Sequence, residues 1–342
     1  RWLRLHGFDA ETFIYYRNWK KASVDLSFLS SVDRTLIELK RAKQQWLQTY
    51  ARVGLDGQSA AVTVAMTLGD KQLISKEVKD DYSISGASHV LALSGLHLGI
   101  IYAIFLFGFN LCKGIPYLNL LVRYHLSDLF VLLLIWLYAL LVDFSPSVVR
   151  SATMITVYSV VGLLNRDKFS LNTLALTAII LLVVRPQNLW DVGFQMSFVA
   201  VLSIVLFVPL LYSLFSPKLL QRHWLLRWVW GLATVSVAAQ LGTAPLVAFY
   251  FGRFSCYFLL SNFIVIPCAT AILYAAVLLL VFFFMPQVQL LVGKALLFVV
   301  GSMNVALHWV AHLQGASIEG LHPNVLQVLL WYVFLFCVWY LF

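Results

Sequence analysis

Beyond residue 87 the chain is a succession of long apolar runs separated by short polar breaks. A helix that crosses a bilayer needs roughly 20 predominantly apolar residues. Nine runs meet or approach that length: about 88–112, 125–143, 147–164, 169–184, 190–215, 227–250, 254–284, 295–313 and 323–342. Several are bounded by proline, glycine or charge, as helix ends are. The seventh is too long for one plain span and contains Pro267 after Asn262. It predicts a kinked helix, or a re-entrant half-helix followed by a span.

The pattern before residue 88 is different. Residues 1–30 mix aromatic, charged and β-favouring residues, as in ETFIYY, and predict the tail of a small β-rich domain. From Asp33, Leu36, Leu39, Trp46, Tyr50 and Val53 recur at helical spacing, while Arg34, Lys40, Arg41 and Gln48 occupy the other face. That is a basic amphipathic helix, suited to a membrane surface or to packing against the bundle, or else to guiding a nucleic-acid strand along its basic face. QSAAVTVAMTLGD (58–70) and ISKEVKDDYSISG (74–86) predict two short helices leading into the first span. The expected organisation is therefore 1–30, 31–87 at the membrane face, and a helical membrane domain over 88–342.

Composition agrees. The chain is 61% hydrophobic and 11% charged, whereas soluble proteins carry about 25% charged residues. Residues 1–87 hold 13 of the 24 Lys and Arg and 10 of the 15 acids. The net charge of +9 therefore reads first as topology signal and lipid anchoring, not as a soluble nucleic-acid surface. With nine alternating spans, loops after odd spans carry Lys113, Arg123, Arg166, Lys168, Lys218, Arg222, Arg227 and Lys294, and loops after even spans carry Arg185 and Arg253. This bias puts the odd loops in the cytoplasm and residues 1–87 outside it. The four cysteines show no CxxC pairing, and no metal or cofactor motif is present. The start at Arg1, without an initiator Met, suggests a piece of a longer protein.

Polar residues inside the apolar runs are the candidates for function. In HVLALSGLHLGI, Ser94 and His97 share a helix face, and Gly95 and Gly99 form a small-xxx-small surface for helix packing. Arg150 sits just inside the third span, where it either snorkels or serves a function. Asp191 and Gln195 lie at a helix start, where an acid suits the dipole. Gln240, Gly242, Thr243, Pro245 and Asn262 interrupt later spans, as helix glue or as pore lining. By themselves these residues also fit a small-solute transporter with a midplane site. An intramembrane hydrolase on Ser94 and His97 fits less well, because it needs a third group near His97.

ALSGLHLGI, SPSVVRSATM, DVGFQMSFVAV and AQLGTAPLVAFYFGRFSCYFLLSNFIVIP occur in this order. Together they resemble the competence domain of the ComEC family, the inner-membrane DNA-internalisation channel of natural transformation. RWLRLHGFDAETFIYY resembles the last part of that family's extracellular OB-fold domain. The resemblance implies passage of single-stranded DNA through the bacterial cytoplasmic membrane. It makes Ser94, His97, Arg150, Asp191, Gln195, Gln240 and Asn262 candidates for the channel wall, with Gly95, Gly99 and Gly242 packing helices. It implies membrane lipids, a DNA receptor outside, and a motor or strand-binding protein on the cytoplasmic side as partners. Many members also carry a metallo-β-lactamase-like domain. This chain has neither its HxHxDH motif nor a Walker A sequence, so no catalysis, metal or cofactor is expected of these residues.

Overall fold

The computed structural model describes residues 31–111, 126–163 and 171–341. The expected OB-like tail over 1–30 lies outside them. Each of the nine apolar intervals contains a helix: α5 (Gly95–Leu111), α6 (Leu126–Leu141), α7 (Pro146–Leu163), α8 (Leu171–Val184), α9 (Val192–Tyr212), α11 (Trp224–Phe251), α12 (Phe258–Val281), α13 (Pro286–Ala311) and α14 (Val325–Leu341). The short α10 (Pro217–Arg222) precedes α11. Helices α9, α11, α12 and α13 are long and apolar enough to cross a membrane. Before them come α1 (Ser31–Arg52), α2 (Gly57–Leu68), α3 (Lys76–Ile84) and α4 (Ser88–Leu91).

The amphipathic helix α1 packs inward. Tyr50 is buried and its hydroxyl donates to Thr67 Oγ1 at 3.1 Å, while Lys43 pairs with Asp143 at 3.0 Å. Helix α2 is more deeply seated than a lead-in helix: every residue from Ala61 to Leu68 is buried. Its side chains are mostly small, so neighbouring helices approach closely. Thr63 and Thr67 donate to the carbonyls of Ser59 and Thr63, one turn back, at 2.8 and 2.7 Å, which satisfies their hydroxyls inside the core. Gly69 ends the helix at φ +77°, donating its N–H to the Ala65 carbonyl, a conformation that glycine adopts without strain. Tyr50, Val62, Met66 and Leu68 form one core with Val265 and Ile272 of α12 and Leu296 and Met303 of α13. A second core joins α5, α6 and α7, and a third joins α9, α11 and α14.

Three expectations need correction. The first span does not begin at residue 88: α4 stops, Ala92 is extended (ψ 134°), and α5 starts afresh at Gly95. Arg227 lies within α11, which begins at Trp224, and the eighth helix begins at Pro286, so Lys294 lies within α13 rather than in a loop. It is exposed, and its long aliphatic stem makes that position tolerable. Helix α12 runs through Pro267 without a break, which sets aside the re-entrant half-helix among the two expected forms. A proline removes one backbone donor, and flanking helices can cover the carbonyl it frees.

Pro245 in α11 shows such cover directly. Its missing N–H would have bonded Leu241 O. Instead Trp331 Nε1 of α14 donates to that carbonyl at 3.1 Å, and Tyr332 Oη donates to Gly242 O at 2.8 Å. The described part is not wholly helical. β1 (Arg253–Ser255) pairs antiparallel with β2 (Ser317–Glu319), Arg253 opposite Glu319. Arg253 bridges Glu319 at 2.6 Å and donates to Ser83 Oγ of α3 at 3.1 Å. This ribbon ties the α11–α12 and α13–α14 connections together. Three-residue strands are too short for alternation to reveal.

Candidate functional site: a polar belt at the ribbon end

Most of the candidate residues gather near the ribbon, where α5, α7, α9 and α12 begin and α11 ends. Ser94 precedes α5. Its Oγ lies 2.8 Å from His97 Nδ1, which also accepts the Ser94 N–H at 3.3 Å. This is one half of a capping box, with the histidine ring taking the Ser94 N–H in place of the usual Glu or Gln. It explains why SGLH starts a helix in the middle of an apolar run. His97 is buried, and its Nε2 has no partner among the described residues. A Ser–His hydrolase needs a third group on the far imidazole nitrogen, and none is present there among the described residues.

Gly95 faces α7. A Cβ placed on it would lie 3.2 Å from Ser151 Oγ. Gly99 meets open space among the described residues, so no described helix packs on it and the expected small-xxx-small surface reduces to Gly95. Gly242 is a true contact: a Cβ there would collide with Ser203 Oγ and sit 3.1 Å from Val199 Cγ1 of α9.

Arg150, next to Ser151, is buried. Its Nη1 bonds Asp191 Oδ2 at 2.9 Å. The same oxygen accepts the N–H of Phe194 at 3.0 Å, capping α9. Arg150 therefore neither snorkels nor stands free; it is held by the acid that starts the next helix but one. Gly193 makes room for it, because a Cβ there would sit 2.9 Å from Arg150 Nη2. Gln195 continues the belt. Its Nε2 donates to Leu189 O at 2.9 Å, and its Oε1 accepts from Tyr250 Oη at 2.7 Å. Asn262, one turn into α12, has a buried Oδ1 without a partner among the described residues, as do Ser255 Oγ and Ser261 Oγ nearby. Gln240 is half-buried and lies deeper along α11, away from the belt.

Sequence reasoning missed Ser151, Gly193 and Tyr250. Gly193 had a signal: a glycine in the first turn after an Asp cap is a poor helix former unless something approaches closely.

A family model described as "Competence protein" matches residues 66–342. The chain belongs to the competence protein family. It is 31% identical over 214 residues to ComE operon protein 3 of Bacillus subtilis, covering 62% of this chain and 25% of that protein. It is 24% identical over 285 residues to Recombination protein 2 of Haemophilus influenzae, covering 82% and 35%. An uncharacterized protein of Aquifex aeolicus is 27% identical over 214 residues, covering 62% and 46%. The chain thus spans a quarter to just under a half of these relatives' lengths. No solved structure matches. Family membership bears out the ComEC-type resemblance, and the four long apolar helices make this a membrane protein.

Proposed function

We propose that this chain is the membrane part of a DNA-uptake apparatus of natural transformation, passing a single strand across the bacterial cytoplasmic membrane. The observation that carries this reading is the family match, which begins inside α2 and takes in every helix from α3 to α14. The polar belt supports it, since a strand needs a polar wall within an apolar bundle. His97 Nε2 and Asn262 Oδ1 are buried polar atoms of that belt without a partner among the described residues. In this reading all nine apolar helices cross the bilayer, the ribbon end faces outward, residues 1–87 approach from that side with α2 inserted into the bundle, and the basic odd loops receive the strand. The chain performs no hydrolysis itself; a receptor outside delivers DNA, and a motor or strand-binding protein inside supplies the work.

The test is deletion of the segment encoding residues 88–342 in the bacterium that carries it. Labelled DNA should still bind the cell surface, yet none should become nuclease-protected in the cytoplasm. Undiminished cytoplasmic entry would overturn the proposal.

A further inference from the structure

His308 in the last turn of α13 and His312, the residue that caps that helix, stand four positions apart, and both are exposed. Asp81 of α3, a buried carboxylate, lies beneath them. His308 Nδ1 is 2.9 Å from Asp81 Oδ2. The two imidazole centroids are 4.1 Å apart. We propose that Asp81, His308 and His312 form a binding site for a borderline divalent transition-metal ion of the Zn2+ or Co2+ class, independent of DNA transport.

The donor set fits that class. Two imidazoles and one carboxylate favour zinc-like ions over Mg2+ or Ca2+, which prefer oxygen shells. One donor atom from each of the three residues lies within 4.8 Å of the others. Around a tetrahedral ion with bonds of roughly 2.0–2.1 Å, donors stand about 3.4 Å apart. The remaining contraction, at most about 1.4 Å, is within the side-chain freedom of exposed histidines. The imidazole of His312 is already oriented. Its Nδ1 donates to the His308 carbonyl at 2.8 Å, which fixes the proton on Nδ1 and leaves Nε2 with its lone pair for a metal. A hydrogen bond between Asp81 and His308 would suffice to hold α3 to α13. His312 adds nothing to that contact, yet its ring lies against that of His308. A metal uses both rings. With three protein ligands and open histidines, a fourth position remains for water.

The test uses the full chain purified in detergent and titrated with Co2+, whose visible bands report tetrahedral nitrogen and oxygen ligation. Saturation at one ion per chain is expected, reversed by Zn2+ and accompanied by a rise in thermal stability. His312→Gln, at an exposed position, should weaken binding at least tenfold with an unchanged size-exclusion profile. Asp81→Asn should do the same, and His322→Gln should leave binding intact. The proposal is overturned if the native chain shows no saturable Co2+ signal, or if His312→Gln binds as the native chain does.

Discussion

The backbone of Gly193 passes so close to Arg150 that a methyl group there would sit 2.9 Å from Nη2 and 3.3 Å from Asp191 Oδ2. Gly193→Ala should therefore destabilise the protein, although alanine is the better helix former by about 1 kcal/mol. The displaced charge-assisted bond outweighs that gain. A net loss of about 1 kcal/mol is expected in detergent thermal unfolding; a rise in stability would show that the guanidinium moves aside freely.

The ion pair itself is asymmetric. Arg150 is buried, with 10% of its side chain exposed, whereas Asp191 is 44% exposed. Asp191→Asn strands a buried cation, and Arg150→Gln strands a carboxylate that solvent reaches. The former should cost more, about 1–3 kcal/mol once exposure is discounted, and the double variant should recover part of it. Thermal unfolding of the three variants measures the coupling. If the pair also serves transport, Arg150→Lys should retain more DNA uptake per unit of membrane protein than Arg150→Gln.

Gly242→Ala should separate α9 from α11, because the added methyl overlaps Ser203. Overpacking of this kind costs about 1–3 kcal/mol. Adding Ser203→Gly should restore folded yield, measured by gel filtration; failure of that rescue would place the damage elsewhere.

Trp331 and Pro245 should be coupled. Trp331→Phe removes the donor to Leu241 O and should cost roughly 0.6 kcal/mol. With Pro245→Ala, an N–H returns to that carbonyl and the cost should shrink. Equal effects of Trp331→Phe in both backgrounds would show that the bond contributes nothing.

The proposed orientation gives a labelling pattern. Leu73, before α3, and Leu214, after α9, are both 70% exposed. With the native cysteines replaced, Leu73→Cys should react with an impermeant maleimide added to intact cells and Leu214→Cys should not. The reverse pattern would invert the topology.

The helices were legible because apolar length is a local property: every predicted interval holds one. Their edges were not, because the break before Gly95 depends on His97 folding back onto Ser94. Arg150 was recognisable as a costly residue, but its partner stands 41 positions away, and nothing local distinguishes Asp191 from Asp143. Asp143 instead pairs with Lys43. The His308–His312 spacing was visible in the sequence, yet Asp81 is 227 residues away from His308. Gly99 shows the opposite failure: a convincing spacing without a described helix to pack against it.

The ribbon between Arg253–Ser255 and Ser317–Glu319 laces two inter-helix connections to each other and, through Ser83, to α3. The C-terminus of α11 and the segment leading into α14 therefore cannot part at that end without unzipping a backbone ladder. The end bearing the polar belt is a stiff rim. Widening between these two helices has to come from splaying at the far end, with the ribbon as the hinge pin.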